Sequence, residues 1–147
     1  LLDLETANKG ASVETLNKIY NASDVLVNTT TGEGWGLTLT EAMSVRLPVI
    51  CPMNTSFTEM TNNGKRVYPL WESIPHCDKF DNVLRPRCHY EEVAETILHV
   101  AKGKNGLLGD DFLDDLNKKL DDSYKYVQSL EWSEICKRWI EYFKETF

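Results

Sequence analysis

Between the apolar run Val25-Leu26-Val27 and a helical pattern starting near Leu37, the chain sets three glycines at alternate positions, Gly32, Gly34 and Gly36. Glycine reaches positive φ without a steric penalty and lets a ligand approach the backbone closely. The stretch therefore predicts a strand, a glycine-rich turn and a helix start. The N–H groups of Gly36, Leu37 and Thr38 would open that helix without intrahelical acceptors. With the helix dipole they make an anion site suited to a diphosphate. Such a turn belongs at the carboxyl end of a parallel strand, where open α/β sheets bind ligands.

Two carboxylates flank the turn, Glu33 before the helix and Glu41 just over a turn into it. A carboxylate accepts well from two vicinal hydroxyls, and sugars and ribose both offer such pairs. The arrangement fits a nucleotide diphosphate sugar. It fits a glycosidase acid pair poorly, since that chemistry needs no phosphate cradle. A plainer reading also stands on these residues: a structural turn, Glu41 facing solvent and Trp35 in the core.

The rest of the chain predicts alternating strands and helices. Ser12 to Asn21 reads as an amphipathic helix capped by Ser12, with Val13, Leu16, Ile19 and Tyr20 at helical spacing. Val25-Leu26-Val27 and Leu47 to Cys51 read as parallel strands buried on both faces, with Pro48 at a strand start. Thr55 to Met60 suits a short helix, Asn62-Asn63-Gly64 a turn, and Arg66 to Tyr68 a third strand. This order implies βα units and a Rossmann-like open parallel sheet with flanking helices. Pro69 to His89 loses the pattern and reads as a long irregular loop. Helices follow over Tyr90 to Lys102, Asp110 to Gln128 and Ser133 to Phe147. The last has Ser133 as its cap and Ile135, Trp139, Ile140 and Phe143 as its apolar stripe.

Composition narrows the function classes. The 147 residues carry a formal net charge of −7, which argues against a nucleic-acid backbone as partner. The acidic residues Asp110, Asp111, Asp114, Asp115, Asp121 and Asp122 are spaced as on a solvated helix face. No apolar run approaches the roughly 20 residues of a membrane span, and no signal-peptide pattern is present. The chain starts with Leu, so the true N-terminus is expected upstream. Of the four cysteines, Cys51 and Cys136 are expected to be small buried hydrophobes. His76-Cys77 and Cys88-His89 offer soft ligands on either side of one loop. They lack Cys-x-x-Cys spacing or a helical His pair, so unpaired loop residues are the expectation and no metal is assigned. Reduced thiols of a cytoplasmic protein are the simplest assumption.

The motif residues resemble the family-four glycosyltransferases, retaining sugar transferases of the GT-B fold. Their C-terminal domain carries Glu-Gly/Pro-Phe-Gly-Leu, then Glu-Ala-Met-Ala, then Gly-Leu-Pro-Val-Ile. Here these segments are Glu33-Gly34-Trp35-Gly36-Leu37, Glu41-Ala42-Met43-Ser44 and Leu47-Pro48-Val49-Ile50. Tyr20 to Val27 resembles the lead-in strand, Glu59 with Asn63-Gly64 a downstream segment, and Trp132 to Phe143 the final helix. The similarity runs from about Ser12 to Phe147, with the loop at 69–89 as an insertion.

What the resemblance implies is a donor-binding domain. Residues 1–106 would form the Rossmann-like unit, the C-terminal half of a GT-B fold truncated at its N-terminus, and residues 107–147 the helices that complete it. Glu33 would be the catalytic-site acid that binds donor-sugar hydroxyls. Gly34, Trp35, Gly36, Leu37 and Thr38 would hold the sugar and diphosphate, and Glu41 the ribose. No cofactor or metal is implied, and the donor could be GDP-mannose or UDP-glucose. The family's glycine before Leu-Pro-Val-Ile is Arg46 here, which would cost about 1 kcal/mol in a left-handed turn unless the turn differs. The family's basic pair for the diphosphate has no counterpart, since Lys9 lies too near the motif. The acceptor-binding N-terminal domain is also absent, so a longer chain or a separate chain is expected to supply it. The rival expectations are a non-catalytic nucleotide-sugar-binding module and a GT-B-fold sugar-nucleotide epimerase.

Overall fold

The structure, a computed structural model, describes residues 10–77 and 81–147. Lys9 and the first residues of the expected 1–106 unit lie outside them. Helix α1 (Val13–Ala22) starts where Ser12 accepts the Thr15 N–H at 3.2 Å, as a capping serine should. Strand β1 (Leu26–Val27) leads through the glycine-rich loop into α2 (Leu37–Ser44). Then come β2 (Val49–Pro52), α3 (Thr55–Met60) and β3 (Tyr68–Leu70). The strands form a parallel sheet in the order β1-β2-β3, with Val27 opposite Ile50 and Cys51 opposite Pro69. The mixed α/β architecture and flanking helices are those of a Rossmann-like fragment.

Side-chain alternation along β2 divides the core into two halves. Val49 and Cys51 face Leu39, Ala42 and Met43 of α2 and Phe57 and Met60 of α3. Ile50, between them, faces the other way, toward Tyr68, Leu70, Val100, Phe112 and Leu116. The second half is covered by α4 (Tyr90–Lys104) and α5 (Asp110–Gln128). Further along α5, Tyr126 and Val127 reach the first half. Of the expected acidic residues of α5, Asp110, Asp111, Asp114 and Asp115 are exposed, whereas Asp121 and Asp122 are half-buried, Asp121 against Arg46.

Several expectations need correction. Leu47 belongs to the helix-ending turn rather than to β2, because its N–H donates to Ala42 O at 3.0 Å. Arg66 sits before β3, held by its own guanidinium on Met60 O at 2.7 Å. The β1 strand is not buried on both faces; Val27 is 36% exposed, since β1 is an edge of the described sheet. Arg46 keeps the left-handed turn, with φ 57. Its guanidinium lies 2.6 Å from Asp121 and 4.9 Å from the Tyr124 ring centre, contacts with α5 that offset the strained φ.

The segment expected to be irregular forms a hairpin. Strand β4 (Ser73–Cys77) pairs antiparallel with β5 (Leu84–Cys88), Ser73 opposite Cys88 and Cys77 opposite Leu84. Its prolines, Pro75 and Pro86, face each other across a ribbon that has only two strands, where a missing N–H is tolerated. Glu92 of α4 anchors its base by accepting the N–H groups of Trp71 at 2.7 Å and Glu72 at 2.9 Å.

The last helix, α6 (Trp132–Thr146), begins one residue before Ser133, and Glu131 is its cap. Glu131 O already accepts from Glu134 and Ile135. None of its residues is buried, so Cys136 is exposed rather than in the core. Trp139, Ile140 and Phe143 stand more than half exposed. No described helix is long and apolar enough to cross a membrane.

Candidate functional site

The glycine-rich turn crosses the carboxyl edge of the sheet and is pinned on both sides. On one side, Asn28 continues the β1 ladder by donating to Ile50 O at 2.9 Å, and its carboxamide oxygen accepts the Thr30 N–H at 2.8 Å. On the other, α3 holds the loop. Thr55 Oγ1 accepts the Glu33 N–H at 2.9 Å, and the Ser56 hydroxyl donates to Glu33 O at 3.0 Å. Thr55 does this at φ 45, a left-handed conformation that costs a β-branched residue of order 1–3 kcal/mol. The loop contact holds that strain in place.

Of the three glycines, only Gly36 takes positive φ. It caps α2 at φ 83, ψ 65 and contributes no side chain to the cap. A Cβ there would lie 2.2 Å from Cε1 of Phe57, so the helix start can approach α3 only with glycine. The Gly36 carbonyl accepts from Leu39 and Thr40 at 3.0 and 3.4 Å. Leu37 and Thr38, the first helical residues, have no such partner within the helix, and no side chain caps them.

Glu33 and Glu41 are held by different helices. The Glu33 backbone is tied toward α3, whereas the Glu41 carboxylate points toward α1 and accepts the Tyr20 hydroxyl at 2.7 Å. A groove of about 400 Å3 between α1 and α2, lined by Val13, Leu16, Asn17, Tyr20, Glu41 and Ser44, opens beside it. Burial, then the hydrogen bond to Glu41 and its negative charge, push the Tyr20 phenol up to about 12. The hydroxyl therefore stays a donor. Its contribution is complete below the ordinary tyrosine value of 10.0 and is lost as pH rises through about 12. Trp35 is 46% exposed and so is not a core aromatic, and Leu37 beside it is 68% exposed.

Tyr20, Thr55 and Ser56 were not legible as site residues. Tyr20 scans as part of an apolar helix face, and its carboxylate partner lies 21 positions away. Thr55 and Ser56 scan as the start of a short helix. The histidine and cysteine pairs, by contrast, are not brought together. Cys77 and Cys88 occupy opposite ends of the hairpin, four residues or roughly 13 Å apart along it. Among the described residues no three His, Cys, Asp or Glu side chains are placed to hold a metal ion. Cys51 is wholly buried, and burial, with Cys88 nearby, pushes its thiol up to about 12, so it is inert as a nucleophile.

The family model described as glycosyl transferases group 1 matches residues 8–102. That span contains the glycine-rich turn and both flanking acids. No curated protein matches the chain.

Proposed function

The chain belongs to the group 1 glycosyl transferases, and from that membership we propose that it binds a nucleotide diphosphate sugar at the start of α2. The amides of Gly36, Leu37 and Thr38 take the diphosphate, Glu33 with Gly34 and Trp35 takes the sugar, and Glu41 takes the ribose. The sugar then passes to an acceptor hydroxyl with retained configuration, and the helix terminus in place of a metal stabilises the leaving diphosphate. The domain acts as the C-terminal half of a GT-B fold. The observation that carries this reading is the uncapped α2 terminus beside the Glu41 carboxylate, with the Glu33 backbone tied to α3.

Transfer needs an acceptor-binding domain as well, in the same longer chain or a separate one. The exposed row Trp139, Ile140 and Phe143 on α6 offers such a domain an apolar face. Transfer that appears only when the two domains are combined supports this, and donor binding without transfer in the combination overturns it.

The donor assignment is tested by titrating nucleotide diphosphates and their sugars in a calorimeter. Glu41→Ala is expected to weaken binding of the bare nucleotide, and Glu33→Ala to weaken discrimination for the sugar. Each loss should be about 1.5–3 kcal/mol, the worth of a hydrogen bond to a charged group. Unchanged binding of both ligands by both variants would sink the assignment.

Tyr20→Phe separates support of Glu41 from direct contact. It deletes only the hydroxyl that fixes the carboxylate, so nucleotide affinity should fall by about 1 kcal/mol and the melting temperature by about a few degrees. A loss as large as that of Glu41→Ala would instead make Tyr20 a ligand contact.

A further inference from the structure

Another concave site lies at the other edge of the sheet. The turn Asn62 to Arg66 precedes β3, so it stands at the amino end of the strands, whereas the start of α2 follows the carboxyl end of β1. Between that turn and α5 is a cleft of about 610 Å3, within the range of small-ligand sites. It is lined by Lys65, Arg66, Lys118, Lys119 and Lys125, with Asn62 and the carboxylates Asp115 and Asp122. Five cations meet two carboxylates there, an excess of three positive charges on a chain whose net charge is −7. No apolar residue lines it, so its walls favour a charged ligand over an apolar one.

The cleft is also pre-shaped. Asn62, Asn63 and Gly64 take left-handed φ in succession, at 52, 55 and 81, which turns the chain back toward α5. Arg66 is fixed from three directions. Its guanidinium donates to Met60 O at 2.7 Å and lies 4.3 Å from the Tyr126 ring centre, and its carbonyl accepts the Ser123 hydroxyl at 2.7 Å. Lys119 is positioned by Asp115 at 3.5 Å and by the Tyr68 ring at 5.6 Å. The hydroxyl of that same Tyr68 is buried with no hydrogen-bond partner among the described residues. Lys65, Lys118 and Lys125 have no acidic partner within ion-pair distance among the described residues. Three uncommitted ammonium groups around one concavity repel each other until an anion enters.

We propose that this cleft binds a multiply charged phosphate group, separately from the donor. Lys65, Lys118 and Lys125 neutralise it, and Arg66 presents fixed N–H donors. Because the cleft and the start of α2 lie at opposite sheet edges, one ligand does not displace the other. The phosphate could come from a free phosphorylated compound or from an anionic lipid headgroup, which share this chemistry.

The test is a titration of the intact chain with inorganic tripolyphosphate, followed by amide chemical shifts so that the two anion sites are read separately. Saturable shifts are expected at Lys65, Arg66, Lys118 and Lys119. Lys65→Glu/Lys118→Glu, both at exposed positions, should weaken that binding by about tenfold. Lys65→Gln/Lys118→Gln serves if the double reversal perturbs the fold, and Lys102→Glu on α4 should change nothing. Shifts confined to Gly36 through Leu39, or binding indifferent to both double variants, overturn the proposal. Pelleting with phosphatidic acid vesicles but not phosphatidylcholine vesicles, abolished by the same variants, identifies a lipid source. Tripolyphosphate binding without pelleting identifies a free one.

Discussion

Phe57→Ala is expected to destabilise the protein by about 3–5 kcal/mol, the usual cost of emptying a core aromatic site. Phe57 is 0% exposed and packs with α2, β2 and Met60 in the half of the core beneath the glycine-rich turn. Its ring is also the surface against which Gly36 rests. Removing it takes away the support of the α2 terminus as well as buried area. Urea denaturation gives the stability loss, and calorimetry at a temperature where the variant is folded gives the binding loss. A variant that loses stability but binds nucleotide as the wild type does would show that the turn is positioned without Phe57.

Gly36→Ala should have the second-largest effect, about 2–4 kcal/mol, the sum of a left-handed backbone and an overpacked contact. The two costs share an origin but can be separated. Phe57→Leu removes the ring atoms that a Cβ at position 36 would strike, at 2.2 and 3.0 Å, and leaves the φ of 83 untouched. In a double-mutant cycle, Gly36→Ala should therefore cost about 1 kcal/mol less in the Phe57→Leu background. Strict additivity would place the whole penalty in the backbone. Nucleotide binding should fall in either background, since the amides of Leu37 and Thr38 follow from the φ of residue 36.

Much of the frame was legible from local pattern. The short helix Thr55–Met60 and the long helix Asp110–Gln128 lie where periodicity puts them, and Ser12 caps α1. These depend on neighbours within a turn or two of chain. The hairpin was less legible because Pro75 and Pro86 read as breakers, and only their pairing across a two-stranded ribbon makes them compatible with strands. Cys136 and the apolar stripe of α6 carry a sound helical period, but a period says which residues share a face. It does not say whether anything covers that face.

At the site the division is similar. The glycine-rich turn, the helix that follows it and the presence of an acid on each side were readable from residue types and spacing within the 10 positions from Gly32 to Glu41. Backbone conformation and helix-end hydrogen bonding are local properties, so a local string specifies them. Tertiary structure decided which glycine is indispensable, through a ring 21 residues further on at Phe57. It also decided that Tyr20 holds Glu41, that Thr55 is strained against Glu33, and that lysines from a turn and from α5 share one cleft. Those outcomes depend on contacts between segments far apart in the chain, which form only when the two halves of the core close on the sheet.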